Sequence, residues 1–244
     1  MAAEAAARFF MACARRPFAF EWEIAGEVPM SRGLGSSVTL RLGIMAGLNA
    51  LADEPLNRQT IFELCAQLEG HPDNAAAALL GGFTIAAHGD SPTAIRFDAP
   101  RDLRAVLFIP DLRLSTRAMR AALPATVPLA DAVANLQRVA LGVAGLATGS
   151  PDFLRHLTVD RLHEPYRAAV YPQLPNLVAA ARAAGALGAC LSGAGSTVIA
   201  FVDSLRSIAR LEGAFRAASA DLDLPGRIEV VAPRNAGARL LPEG

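Results

Sequence analysis

Three short stretches gather residue types suited to holding phosphate, a hard cation and a small polar acceptor. In the first, Val28-Pro29-Met30-Ser31-Arg32-Gly33-Leu34-Gly35-Ser36-Ser37, two glycines stand two residues apart and a serine pair precedes an apolar run. Glycine lets the backbone turn tightly and approach a ligand with no Cβ in the way. A helix start leaves N–H groups unpaired at the positive end of its dipole. The stretch therefore reads as a phosphate cradle with Arg32 beside it, or as a glycine turn with a serine cap, and a short glycine motif alone does not separate the two. The second stretch, Glu69-Gly70-His71-Pro72-Asp73-Asn74, packs two carboxylates, an imidazole and an amide into one polar turn. The third, Ser192-Gly193-Ala194-Gly195-Ser196, is a small-residue loop ahead of an apolar strand.

Composition removes several chemistries. Formal net charge is zero and the basic residues are scattered, so the basic footprint of a nucleic-acid binder is missing and no such partner is expected. All 23 basic residues are arginine. That excludes Schiff-base chemistry and the lysine-dependent phosphate loop. Cys13, Cys65 and Cys190 are odd in number, far apart and set among apolar residues, which fits buried reduced thiols and a cytoplasmic location. No run of about 18 apolar residues occurs, so no membrane span is expected. At 244 residues and 52% hydrophobic, the chain is long enough for one large or two small cores.

The elements that must position these stretches follow from apolar periodicity. Residues 1–14 read as a helix. Phe18–Ile24 alternates apolar and polar residues and reads as a strand. From Ser36 to Leu51 the run is apolar nearly all round, predicting a buried central helix. Asn57 is placed to cap a second helix that Gly70 ends. Strands are expected at Phe83–Ala87, Thr93–Phe97 and Arg104–Ile109, then helices from Ser115, Leu129 and Ser150 and near 160–170 and 176–184. Ala189–Leu191 leads through the third stretch into the strand Thr197–Val202, followed by a helix over 204–220 and a strand at Arg227–Val231. The pattern is α+β, with a domain boundary expected at Gly81-Gly82, giving domains 1–81 and 82–244.

Taken together, Pro29-x-x-x-Gly33-Leu34-Gly35-Ser36-Ser37, Glu69–Asn74 and Leu191–Thr197 resemble the small-molecule kinase superfamily named for galactokinase, homoserine kinase, mevalonate kinase and phosphomevalonate kinase (GHMP). Within it, Glu-Gly-His-Pro-Asp-Asn, Ser115-Thr116-x-x-x-Arg120-x-x-Leu123-Pro124, Glu164-Pro165-Tyr166-Arg167 and Asn235-Ala236-Gly237-Ala238-Arg239 resemble the homoserine kinases. The resemblance implies a two-domain fold, with an ATP-binding first domain and a ferredoxin-like second one. It implies transfer of the γ-phosphoryl group of MgATP to the side-chain hydroxyl of L-homoserine, a step toward threonine. On the matching positions, Arg32, Gly33, Leu34, Gly35, Ser36 and Ser37 would hold the nucleotide phosphates. Ser37 and Glu69 would bind magnesium, with Ser36 the other candidate hydroxyl. Asp73 would act as general base, or Asn74 would orient the acceptor hydroxyl. Thr116, Arg120, Arg167, Gly193, Gly195 and Asn74 would contact the substrate. The chemistry agrees, because phosphoryl transfer asks for positioning and charge neutralisation and a carboxylate substrate asks for a planar bidentate donor.

The family's Pro-x-x-x-Asn-x-Gly-x-Gly-Phe-Asp motif, whose aspartate binds the substrate ammonium group, has no counterpart in these 244 residues. The resemblance thus implies a chain shortened at its N-terminus, lacking parts of the adenine pocket. An exposed edge of the first domain, through which two copies would pair, is a further expectation. The rival expectations are another kinase of the same superfamily and a non-catalytic remnant that binds a small molecule or a partner.

Overall fold

The computed structural model describes residues 1–241 and divides the chain into two compact units. The first comprises residues 1–28, 35–98 and the tail from Arg234, and the second residues 29–34 and 99–233. The compact units divide inside the glycine stretch, at 98/99 and at 233/234. The physical reason is hydrogen bonding between segments far apart in the chain. The Gly82 N–H donates to Arg234 O at 2.8 Å, Arg96 Nη2 to Asn235 O at 2.8 Å and the Ala238 N–H to Ala78 O at 2.9 Å, tying the first hairpin and the tail to the first unit. Residues 242–244 of the expected second domain lie outside the described residues.

The first unit holds four helices, α1 (Ala2–Ala12), α2 (Ser36–Leu51), α3 (Arg58–Glu69) and α4 (Asp73–Leu80), and an antiparallel hairpin, β1 (Phe83–Ala87) with β2 (Thr93–Phe97), in register Phe83↔Phe97. Phe9 and Phe10 of α1, Val38, Leu42, Met45 and Leu48 of α2, Ile61, Phe62 and Cys65 of α3 and Leu79 of α4 share one core. Burial on several faces makes α2 the central element, as its all-round apolarity requires. Asn49 is buried in it because its amide closes the turn that follows, with Nδ2 donating to Leu56 O and Oδ1 accepting from the Leu56 N–H, each at 3.0 Å. Asn57 caps α3 through the Thr60 N–H at 2.9 Å. The expected strand over Phe18–Ile24 does not form, and residues 15–29 have no regular element. Alternation specifies a strand only where a neighbour supplies the ladder, and here Phe18, Trp22 and Ile24 stay exposed.

The second unit is built on a four-stranded antiparallel sheet in the order β4-β5-β3-β6, from β3 (Arg104–Pro110), β4 (Gly188–Leu191), β5 (Val198–Val202) and β6 (Gly226–Val231). The period-2 rule sorts β3 between two faces. Val106 and Phe108 join the core formed with α9 (Leu174–Ala183) and α10 (Leu205–Asp221), where Phe108 stacks on Phe215 with ring centroids 5.7 Å apart. Ala105, Leu107 and Ile109 turn to the opposite face, onto which Leu34, Ile199 and Phe201 pack. The helices α5 (Thr116–Ala121), α6 (Leu129–Ala147), α7 (Leu154–Leu157) and α8 (Glu164–Arg167) complete the unit. The architecture is α+β, as expected.

Candidate functional site

In the first unit the site centres on the N-terminus of α2. Gly35 precedes it in the left-handed region at φ 73° and supplies no capping side chain, so the first-turn N–H groups have no side-chain acceptor at the cap position. Ser37, the second residue of α2, points its hydroxyl at the last residue of α3, with Oγ donating to Glu69 Oε2 at 2.9 Å. The other carboxylate oxygen, Oε1, accepts from Arg41 Nη1 at 2.6 Å, and the same nitrogen donates to Leu68 O at 2.7 Å. Arg41 Nη2 reaches Glu4 of α1 at 3.2 Å. The Glu69 side chain is only 7% exposed and that of Arg41 13%, so this pair is fixed inside the helical bundle. Gly70, at φ 77°, ends α3, and the turn brings His71 Nδ1 within 2.6 Å of Asp73 Oδ1. Asp73 Oδ1 also accepts from the Asn74 N–H at 2.7 Å, while 71% of its side chain is exposed.

The Ser37–Glu69 pair also fits a magnesium ion. Adjacent ligands of an octahedron with metal–oxygen distances of about 2.0–2.1 Å lie about 2.9 Å apart, the separation of Ser37 Oγ and Glu69 Oε2. Both are hard oxygen donors, and with Arg41 held on Oε1, the carboxylate is prepared to offer one oxygen. Among the described residues no group of three or more His, Cys, Asp or Glu side chains gathers to hold a metal.

In the second unit the glycine stretch and the third stretch meet. Arg32 O accepts from the Thr197 N–H at 3.2 Å, and Ser192 Oγ donates to Gly33 O at 2.9 Å. Gly33 sits at φ 74°, where a Cβ would overlap Ser192 O. Leu34 turns its side chain into the apolar sheet face, leaving only its backbone for a ligand. The Arg32 guanidinium donates to Ser31 O at 3.4 Å. Arg167, the last residue of α8, donates from Nη1 to Gly193 O at 2.9 Å, and its buried Nε has no hydrogen-bond partner among the described residues. Burial holds the Arg167 guanidinium below its ordinary pKa against the charge of Asp160, and nearby Arg120 pushes the same way as burial. Two guanidinium groups close enough to repel are well suited to an anion. Thr116 opens α5, anchored by the fully buried Met119, and both Thr116 and Arg120 are exposed.

A half-buried polar network fixes the turn ahead of α8. Asp160 accepts from the Leu162, His163 and Glu164 N–H groups at 3.0, 2.6 and 2.6 Å and from Asn135 Nδ2 of α6 at 2.8 Å. Burial pushes its carboxyl up, but these bonds and the His163 ring together hold it well below the usual carboxylate range. Burial raises the Glu164 carboxyl, opposed by the Leu191 N–H that it accepts at 2.6 Å. Burial also pushes the Cys65 and Cys190 thiols up to about 12; all three cysteines are free, but of the three expected to be buried only Cys65 is fully so, Cys13 and Cys190 being partly exposed.

Of the expected site residues, Gly35, Ser36, Ser37, Glu69, Asp73 and Asn74 belong to the first unit. Arg32, Gly33, Leu34, Thr116, Arg120, Arg167, Gly193 and Gly195 belong to the second. Sequence reasoning gave no role to Arg41 or Asp160, and used Glu164 only as part of a motif. The signal for Arg41 was available, since it is the one charge in an apolar helix, one turn after Ser37.

The chain matches the GHMP kinases N terminal domain over residues 2–82 and the GHMP kinases C terminal domain over residues 130–221. A homoserine kinase from Moorella thermoacetica is 41% identical over 239 residues, covering 98% of this chain and 80% of the relative. The chain belongs to the homoserine kinase family. A second homoserine kinase, from Synechococcus sp. strain CC9311, is 41% identical over 204 residues, which are 83% of this chain and 65% of the relative. Among solved structures, the homoserine kinase from Cytophaga hutchinsonii superposes with a TM-score of 0.85 at 22% identity, over 97% of this chain and 76% of that one, and so shares the fold. The L. major mevalonate kinase, solved with R-mevalonate, shares the fold at a TM-score of 0.68 and 16% identity, over 95% of this chain and 76% of that one. No helix among the described residues is long and apolar enough to cross a membrane.

Proposed function

We propose that the chain transfers the γ-phosphoryl group of ATP to the side-chain hydroxyl of L-homoserine, giving O-phospho-L-homoserine and ADP. The observation that carries this is the Ser37–Glu69 pair, held at 2.9 Å at the open N-terminus of α2 in a member of the homoserine kinase family. The α2 N–H groups and the Gly33–Ser37 backbone take the nucleotide phosphates. Ser37 and Glu69 would hold magnesium, which would supply charge neutralisation at the phosphates. Arg120 and Arg167 bind the substrate carboxylate, Arg167 with the Nε and Nη2 donors left after Nη1 engages Gly193 O. Asn74 and the Gly193–Gly195 backbone orient the substrate. Asp73 Oδ2 accepts the hydroxyl proton as the new oxygen–phosphorus bond forms and the bond from the γ-phosphorus to ADP breaks, Oδ1 being engaged by the Asn74 N–H and facing His71.

Amino-acid-dependent ADP release tests the assignment. L-homoserine is expected to support turnover where R-mevalonate and D-galactose do not. Release driven by another alcohol would move the chain to a different kinase of the superfamily. No release with any acceptor would favour a binding protein without turnover.

A further inference from the structure

We infer that Glu164 is a positioning residue, which acts through the Leu191 N–H to hold the Ser192–Gly195 loop in register with Arg167. The inference rests on the proposed role of Arg167 in binding the substrate carboxylate.

The argument begins with the sheet. β4 is an edge strand, paired on one side only, with β5. In an antiparallel ladder successive N–H groups point alternately toward the partner and away from it. The Ser192 N–H donates inward, to Thr197 O at 2.9 Å. The Leu191 N–H, one residue earlier, therefore points off the open edge, and Leu191 is itself buried. An unpaired buried N–H is costly. Glu164 Oε1 accepts it at 2.6 Å. Farther back on the same edge, Arg182 Nη2 donates to Ala189 O at 2.9 Å, so side chains replace the missing strand along β4.

The loop is thus gripped twice from α8, a helix of only four residues. Its first residue, Glu164, holds the N–H of the last β4 residue, and its last, Arg167, holds Gly193 O at 2.9 Å. Asp160 fixes this clamp from behind, since it accepts the N–H of Glu164 itself and ties that turn to Asn135 of α6. Losing the Glu164 contact would free one end of the loop and let Gly193 and the Arg167 guanidinium shift together. Substrate affinity is then expected to fall without a comparable change at the nucleotide.

Two readouts on the same proteins test this. By hydrogen–deuterium exchange on the protein without substrate, Glu164→Ala is expected to exchange about tenfold or more faster than wild type at residues 191–195, with 198–202 unchanged. Glu164→Gln, whose amide oxygen can accept the same N–H, is expected to stay within about threefold of wild type. In steady-state kinetics Glu164→Ala is expected to raise KM for L-homoserine about tenfold and KM for ATP less than twofold, with Glu164→Gln restoring the former. If Glu164→Ala does not fold, Glu164→Asp takes its place, because it keeps the charge but falls one methylene short of Leu191. Unchanged exchange at 191–195 in the shortened variant would overturn the inference, as would equal loss of protection in Glu164→Gln or a uniform rise across the sheet. The exchange arm needs no turnover, so a wild type inactive on L-homoserine would defeat the kinase assignment while leaving the clamp decided by exchange.

Discussion

Ser37 Oγ and Glu69 Oε2 meet at 2.9 Å, although 32 residues separate them in the chain. The second residue of α2 and the last of α3 are brought together because the two helices share the apolar core built around Met45 and Cys65. A serine hydroxyl and a carboxylate, arranged this way beside uncapped helical N–H groups, gather hard oxygen donors and open N–H donors at one helix end.

Glu69→Gln removes the negative charge but keeps the shape. Phosphoryl transfer is expected to fall at least 100-fold, an electrostatic loss of the size seen when one preorganised contact to developing charge is removed. The variant should also lose about 1–3 kcal/mol of stability, because the Arg41 guanidinium loses the charge that it faces at 2.6 Å in a largely buried setting. Urea denaturation and initial rates measure the two effects separately.

Arg41→Met tests how the guanidinium sets the carboxylate. Removing a positive charge 2.6 Å from Glu69 Oε1 leaves the carboxylate more attractive to a divalent ion. Manganese binding followed by electron paramagnetic resonance is expected to tighten about threefold or more. Weaker binding would show that Arg41 serves chiefly to hold Glu69 in place.

The two glycines of the phosphate stretch should respond unequally to alanine. Both have φ near +74°, which costs an alanine about 1–2 kcal/mol. At Gly35 the nearest atom to an added Cβ is Val38 Cγ1 at 3.7 Å, so the cost should stop there. At Gly33 the Cβ would overlap the Ser192 carbonyl, and a total loss of about 3 kcal/mol or more is expected. Equal melting temperatures for Gly33→Ala and Gly35→Ala would contradict this.

Asp160 gives the second unit a defined acid sensitivity. Its native carboxyl lies below the usual range, so its stabilising contribution is present above the unfolded value of about 3.9 and is lost as pH falls through the native one. Glu164, whose carboxyl is raised, acts with the opposite sign, its contribution fading as pH rises above about 4.3. Asp160→Asn is expected to be about 2 kcal/mol less stable than wild type at pH 7, with the gap narrowing below about pH 4. A gap independent of pH would contradict the assignment.

Much of this was legible in the sequence because the deciding interactions are short-range. Asn57 caps the helix it precedes, Gly70 ends it, and the apolar spacing of residues 36–51 made α2 central before any contact was known. Residues 18–24 misled because strand pattern is a statement about a neighbour, and none pairs there. The unit division was hidden because it depends on the tail hydrogen-bonding to Gly82 and Ala78, more than 150 residues away. Arg41 and Glu164 escaped assignment for a related reason: each acts through a group that the fold alone brings near, Glu69 Oε1 and the Leu191 N–H.

Phosphorus NMR of the chain incubated with MgATP and L-homoserine is the most direct measurement of the central claim. A new phosphate-ester resonance coupled to the side-chain methylene protons, growing as ADP grows and absent with Glu69→Gln, is the predicted result. ATP left intact, or converted only to ADP and inorganic phosphate, would contradict it.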